Sequence, residues 1–245
     1  IIAVDWNILG GFTGYVNFGS AGFFAVGVYT SVALHKAFGL PLPMLVLASG
    51  VICAFLGLAA GYLTLRLKGI YFAIATLAVA LMLGTVASNW EYVGGAAGTY
   101  VLQPKESFSF ENYTELLFML MLLLAIAATA VSRYLSSSRL GQGLSATRDD
   151  ELAAECNGVP TLKLKLISAT TIGFFMGVAG APFPFFIAFV DPLSAFALLI
   201  TVNSIAMPMI GGTAVWYGPV IGALILGAVQ EVTTVTISSE INLLV

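Results

Sequence analysis

What limits this chain most is the length of its runs without a charged residue. No Asp, Glu, Lys or Arg falls within 6–35, 37–65, 69–90, 116–132, 166–190 or 192–230. An α-helix rises about 1.5 Å per residue, so about 20 apolar residues cross the ~30 Å hydrocarbon core of a bilayer. Stretches 37–65, 69–90, 116–132 and 166–190 each fit one span. Stretch 192–230 is too long for one and is interrupted by Pro208 and Gly211-Gly212, which predicts spans near 193–210 and 214–232. Stretch 6–35 opens with Gly10, Gly11, Gly14 and Gly19, which predicts a broken glycine-rich opening and then a span near 20–35. The expectation is an all-α, polytopic transmembrane bundle of about seven spans, forming one domain over 1–245.

Composition supports this reading. Charged residues make up 9% of the chain and apolar residues 59%, whereas soluble domains carry roughly 25% charged residues. That argues against a water-soluble domain and against disorder. Nine basic residues scattered among twelve acidic ones make no nucleic-acid footprint. Cys53 and Cys156 lie far apart in unlike surroundings, and one histidine, His35, offers no metal-ligand set. Neither a disulfide, a metal site nor a catalytic residue is expected. The first residue is Ile1 and both ends are apolar, so the chain is expected to be a fragment trimmed at both ends, without a cleavable signal peptide.

Basic residues are retained on the cytoplasmic side of a membrane. With 133–165 inside, the inner loops hold Arg66, Lys68, Arg133, Arg139, Arg148, Lys163 and Lys165, against Lys36 and Lys105 outside. Loop 90–112 then lies outside. Asp5, Asp191 and Glu231 fall at span ends and are expected at the interface. The glycine pairs Gly57/Gly61, Gly173/Gly177 and Gly218/Gly222 have the spacing that brings helix backbones close in lipid.

Segment 133–165 is the longest polar stretch. Within it a short helix is predicted over 147–157. Thr147 is its expected N-cap, Asp149, Asp150 and Glu151 lie in its first turn, and Asn157-Gly158 before Pro160 end it. Ala153 and Ala154 permit close approach, which suits docking into a groove on a soluble partner. In the spans, polar side chains usually face a cavity or another helix. Asn7, Thr13, Asn17, Ser20, Thr76, Asn203 and Ser204 are therefore candidates for a translocation pathway, joined by Gly14 and Gly19, whose neighbourhood can offer backbone groups to a solute.

Four stretches resemble one known family. Residues 138–159, "SRLGQGLSATRDDELAAECNGV", resemble the cytoplasmic coupling loop of branched-chain amino acid ABC transporter permeases of the LivH/LivM type, nearest LivM. Residues 7–30, "NILGGFTGYVNFGSAGFFAVGVYT", resemble the family's glycine-rich first motif, with Tyr15, Asn17 and Ser20 where Gln, Ser and His are frequent. Residues 65–80, "LRLKGIYFAIATLAVA", and 209–223, "MIGGTAVWYGPVIGA", resemble its Arg-x-x-Gly-x-Tyr-Phe-Ala and Gly-Pro-x-x-Gly-Ala segments.

The resemblance implies a permease subunit of an importer for branched-chain or related hydrophobic amino acids, in a bacterial or archaeal plasma membrane. It implies a second permease subunit, two ATPase subunits carrying ATP-Mg, and an extracytoplasmic binding protein, with no cofactor on this chain. Arg139, Gly141, Arg148, Asp149, Asp150, Glu151, Ala153, Ala154 and Gly158 are then the ATPase-coupling residues. Urea or amide permeases of the same family are the alternative. An ion-coupled carrier is disfavoured because ionisable residues are almost absent from the spans. An intramembrane enzyme lacks a nucleophile, base or metal set.

Overall fold

The structure, a computed structural model, describes residues 1–101 and 113–242. Residues 102–112 of the expected external loop, and 243–245, lie outside the described residues. The described chain is an all-α bundle: α1 (Ile2–Thr13), α2 (Ser20–Phe38), α3 (Leu42–Thr64), α4 (Ile70–Ser88), α5 (Tyr113–Ser137), α6 (Arg139–Asp149), α7 (Glu151–Cys156), α8 (Thr161–Gly180), α9 (Phe183–Ile187), α10 (Pro192–Ala195), α11 (Leu198–Gly211) and α12 (Gly218–Asn242). Two-residue strands β1 (Thr99–Tyr100) and β2 (Phe189–Val190) pair antiparallel, Thr99 opposite Val190. Nothing in the sequence pattern signals so short a ladder, which ties the loop after α4 to the loop after α9.

Among the described residues five helical segments are long and apolar enough to cross a membrane: Leu42–Thr64, Ile70–Ser88, Tyr113–Ser137, Thr161–Ile187 and Pro192–Gly211. They correspond to five of the seven expected spans, though stretch 166–190 begins earlier, at α8, and continues through α9. Of the other two, α2 carries His35 and Lys36 in its last turn, and the apolar part of α12 runs only Gly218–Thr234. Large apolar side chains face outward, such as Leu47, Phe55 and Leu63 on α3, while Asn7, Ser20, Ser49, Ser132 and Ser204 are buried. This is the polarity of a bundle whose outer solvent is lipid.

The expected irregular opening is instead helical up to Thr13. Helix α1 is buried from Ala3 to Thr13 and packs against α8, α11, α6 and α5. The break is confined to Gly14–Gly19. Asp5 is likewise not interfacial: it is fully buried, and neither carboxylate oxygen has a partner among the described residues. A charge near a chain end reads as a span boundary only if the first helix lies at the surface, and here that helix is central. Pro208, expected to interrupt 192–230, lies inside α11, and the helix ends at Gly212, whose N–H bonds the Pro208 carbonyl at 2.8 Å.

The glycine pairs do set close crossings. A Cβ on Gly57 would lie 2.7 Å from the Ala169 carbonyl oxygen, one on Gly61 would lie 2.9 Å from Ala169 Cβ, and one on Gly173 would overlap the Cys53 carbonyl. These contacts join α3 to α8. Gly218 and Gly222 meet Gly211, Gly212 and the Met207 carbonyl at equally short range, closing the α11–α12 hairpin.

Candidate functional site

Helix α1 ends where Gly14 turns left-handed, at φ 75°, a conformation glycine adopts without strain. The chain then runs without regular structure to Gly19. Bare backbone inside a lipid-facing bundle must find partners within the protein, and here side chains supply them. The Trp6 indole Nε1 donates to the Asn17 carbonyl at 2.8 Å. The Gly19 N–H donates to Asn17 Oδ1 at 2.7 Å. The Phe18 N–H donates to Thr76 Oγ1 of α4 at 3.1 Å. From α11, Thr201 Oγ1 donates to the Phe18 carbonyl at 3.4 Å and accepts from the Ala21 N–H at 3.1 Å. A side chain at Gly19 would be tightly confined, since its Cβ would lie 3.0 Å from the Thr76 carbonyl oxygen.

The polar segment after α5 folds as two helices. Ser138 caps α6 by accepting from the Gly141 N–H at 3.3 Å, and Gly141 sits against the Leu135 carbonyl, where no Cβ fits. The expected single helix over 147–157 is corrected: Thr147 lies inside α6, its hydroxyl donating to the Gly143 carbonyl at 2.8 Å. The true cap is Asp150. It leaves helical geometry (φ −157°, ψ 108°) and its Oδ1 accepts from the Leu152 and Ala153 N–H groups at 2.9 and 3.1 Å. Asp149 therefore closes α6, and Glu151 alone of the three acids lies in the first turn of α7. Asn157 and Gly158, with Gly158 at φ 82°, end it as expected. Arg139, Asp149, Asp150, Leu152, Ala153, Cys156 and Gly158 are exposed, whereas Gly141 and Ala154 are buried.

Glu151 turns inward. Its Oε2 accepts from the Tyr15 hydroxyl at 2.7 Å and its Oε1 from Lys165 Nζ at 2.7 Å. The Lys165 ammonium, on a side chain only 2% exposed, also reaches the Tyr15 hydroxyl at 3.2 Å and lies 4.6 Å from the Tyr15 ring centroid. Lys68 stands 3.5 Å from Glu151 Oε2. Burial pushes the Glu151 carboxyl up. The hydrogen bonds from Lys165 and Tyr15 and the charges of Lys165 and Lys68 outweigh it, so the group titrates below its ordinary value. Beside this cluster Arg148 Nη1 donates to the Gly11 carbonyl at 2.8 Å. The break and segment 147–151 thus line one open cleft of about 880 Å³, together with Thr13, Lys68 and the start of α4.

Two groups of residues that sequence reasoning held apart, 13–18 and 147–151, therefore share a cavity. Thr76 joins the surroundings of the break, whereas Ser204 is buried and donates to the Thr201 carbonyl of its own helix at 2.7 Å. Asn203 points elsewhere, its Oδ1 accepting from Gln230 of α12 at 3.1 Å. Asn7 and Ser20 are buried without partners among the described residues. Thr201, Lys165 and Lys68 were not among the expected site residues. Lys165 and Lys68 had counted only toward membrane orientation, yet a lysine within an apolar helix such as α8 signals a buried partner. Thr201, three residues before Ser204 on the same helix face, was the available signal on α11. Among the described residues no group of three or more His, Cys, Asp or Glu is placed to hold a metal ion.

A helical bundle with lipid-facing apolar surfaces, a buried polar interior and an interrupted helix opening on a cleft defines a multi-pass membrane protein. The family described as "Branched-chain amino acid transport system / permease component" matches residues 1–245, and the chain belongs to that family, which is one of transport permeases. It is 27% identical over 256 residues to the high-affinity branched-chain amino acid transport system permease protein LivM of Escherichia coli K12, covering 94% of this chain and 60% of that protein. It is 22% identical over 258 residues to LivH of Salmonella typhimurium, covering 98% of this chain and 83% of that one. The chain thus spans about three-fifths of the length of the LivM proteins it matches. No solved structure matches at a significant level.

Proposed function

We propose that this chain is the permease subunit of an ABC importer that moves branched-chain or related hydrophobic amino acids inward across a bacterial or archaeal plasma membrane. It pairs with a second permease subunit. Two ATPase subunits, which hold ATP-Mg, dock on the exposed side of α6 and α7, and an extracytoplasmic binding protein delivers the substrate. The observation that carries this reading is the single hydrogen-bonded cluster joining α7 to the break after α1. A push on α7 reaches Tyr15 through Glu151, and a push on α6 reaches Gly11 through Arg148. Work done outside the membrane then moves the irregular backbone segment Gly14–Gly19, as alternating access requires.

The outward-facing Arg139, Asp149, Asp150, Leu152 and Ala153 are the docking contacts of this reading, with Gly141, Ala154 and Gly158 shaping the helices that carry them. Arg148 and Glu151 act inside the chain as transmitters. Thr13, Gly14, Asn17, Gly19, Ser20, Thr76 and Ser204 border the pathway. The test is reconstitution of the full-length chain with its co-purifying subunits in proteoliposomes. Uptake of leucine that needs both ATP and binding protein is the expected result. Uptake of urea or amides instead would change the substrate class, and ion-gradient uptake without ATP would overturn the importer reading.

A further inference from the structure

A second cleft, of about 580 Å³, lies beyond the first, between α4, α10 and α11. Both clefts draw on one face of α4: Ile70, Ala73 and Ile74 in the first, Leu81, Gly84 and Ser88 in the second. These positions recur at helical spacing of three and four, so they form a single stripe. From Ile70 to Ser88 that stripe rises ~27 Å, close to the ~30 Å thickness of the hydrocarbon core. The clefts are therefore two halves of one transmembrane groove. They share two residues, Phe18 and Leu77.

Resting on the permease reading, we infer that Phe18 and Leu77 form the apolar gate of the translocation groove, separating a cytoplasmic vestibule at segment 147–151 from an outer vestibule at α10. Both side chains are half-buried and apolar, and an apolar constriction closes a pathway to water and polar solutes by dewetting. The gate is built to move. Phe18 belongs to no helix, and its position is set by Thr76 of α4 on its N–H and Thr201 of α11 on its carbonyl. A change in the spacing of α4 and α11 carries Phe18 with one helix or frees it from the other. The Glu151–Tyr15 hydrogen bond enters the same segment three residues earlier. An amino acid with a branched aliphatic side chain can pass such a constriction with its apolar part against Phe18 and Leu77. The second permease subunit supplies the wall that the open side of the groove lacks.

The test uses the assembled complex in proteoliposomes loaded with radiolabelled leucine and free of nucleotide. The wild-type complex should be tight, and Phe18→Ala should leak at least tenfold faster while still hydrolysing ATP. Leu77→Ala should act in the same direction, and Phe18→Trp should cut ATP-driven uptake at least tenfold without loss of subunits. In a Cys156→Ser background, a membrane-impermeant maleimide should modify Ile74→Cys from the cytoplasmic side only and Thr85→Cys from the outer side only. Assembled Phe18→Ala and Leu77→Ala complexes with wild-type tightness and uptake would overturn the gate while leaving the permease reading intact, as would labelling of both cysteines from one side. A wild-type complex with no ATP-driven uptake of leucine, urea or amides would remove the importer reading and the gate together.

Discussion

The Tyr15 hydroxyl donates a 2.7 Å hydrogen bond to the carboxylate of Glu151, a residue 136 positions further along the chain. The contact fastens the short helix α7 to the break in the bundle, and it divides the acids of the polar segment by direction. Asp149 and Asp150 look outward, while Glu151 looks into its own protein. Variants on the two sides should therefore fail differently. Glu151→Gln should keep the ATPases bound but reduce uptake relative to ATP hydrolysed by about tenfold. Leu152→Asp should release the ATPases from the complex. Pull-down and coupled transport assays on the same preparations separate the two.

Loss of the Glu151 carboxylate altogether strands the buried Lys165 ammonium. Removing one member of a buried ion pair typically costs about 3–5 kcal/mol. Glu151→Ala should lower the unfolding temperature of the detergent-solubilised chain, and a paired Glu151→Ala, Lys165→Met change should recover most of the loss. Unchanged thermal unfolding in the single variant would mean the pair contributes nothing.

The same carboxylate fixes a pH dependence. Its pKa is depressed in the folded chain, so its contribution is complete above the unfolded glutamate value of about 4.3 and is lost only as pH falls through the folded value. Hydrogen exchange of the α7 amides should be equally protected from neutral pH down to the ordinary carboxylate range, once corrected for intrinsic rates, with protection lost at more acidic pH. Loss of protection between pH 7 and 6 would contradict the arrangement.

Thr76 and Thr201 hold the break through their hydroxyls alone. Thr201→Val keeps the shape but leaves the Ala21 N–H and the Phe18 carbonyl without that partner. A buried unsatisfied group costs about 1–3 kcal/mol, and Thr76→Val, which affects the Phe18 N–H, should cost at the lower end. Thermal unfolding of each variant checks the order.

The α3–α8 crossing tolerates no bulk. Gly173→Val would drive its side chain into the Cys53 carbonyl and should abolish accumulation of folded protein. Gly227→Ala, whose Cβ would meet no atom beyond its own helix backbone within 4 Å among the described residues, should be neutral or stabilise α12 by up to about 1 kcal/mol. Expression level and gel-filtration profile distinguish the two.

The spans and close glycine crossings were legible because charge-free length and four-residue spacing are local properties. The start of the polar helix was not, because Thr147 and Asp150 are both competent caps. Only tertiary packing, which draws Arg148 toward Gly11 and Glu151 toward Tyr15, selects the second. Asp5 was misread for a related reason: charge reports a surface only when the helix lies at one. The joining of the break to segment 147–151 depends on contacts spanning more than a hundred residues, and no window on the sequence contains it.

The stitching of Phe18 also imposes an order on biosynthesis. Thr76 follows only 58 residues after Phe18, so the first stitch can form long before α11 is made. Thr201 lies 180 residues after Ala21, and until α11 has been inserted the Ala21 N–H and the Phe18 carbonyl lack their native partner. Chains grow from the N-terminus and can fold in part as they do. The segment at the heart of the groove is thus made well before the last of its partners. A chain halted before residue 201 carries an open seam that a membrane quality-control protease can recognise.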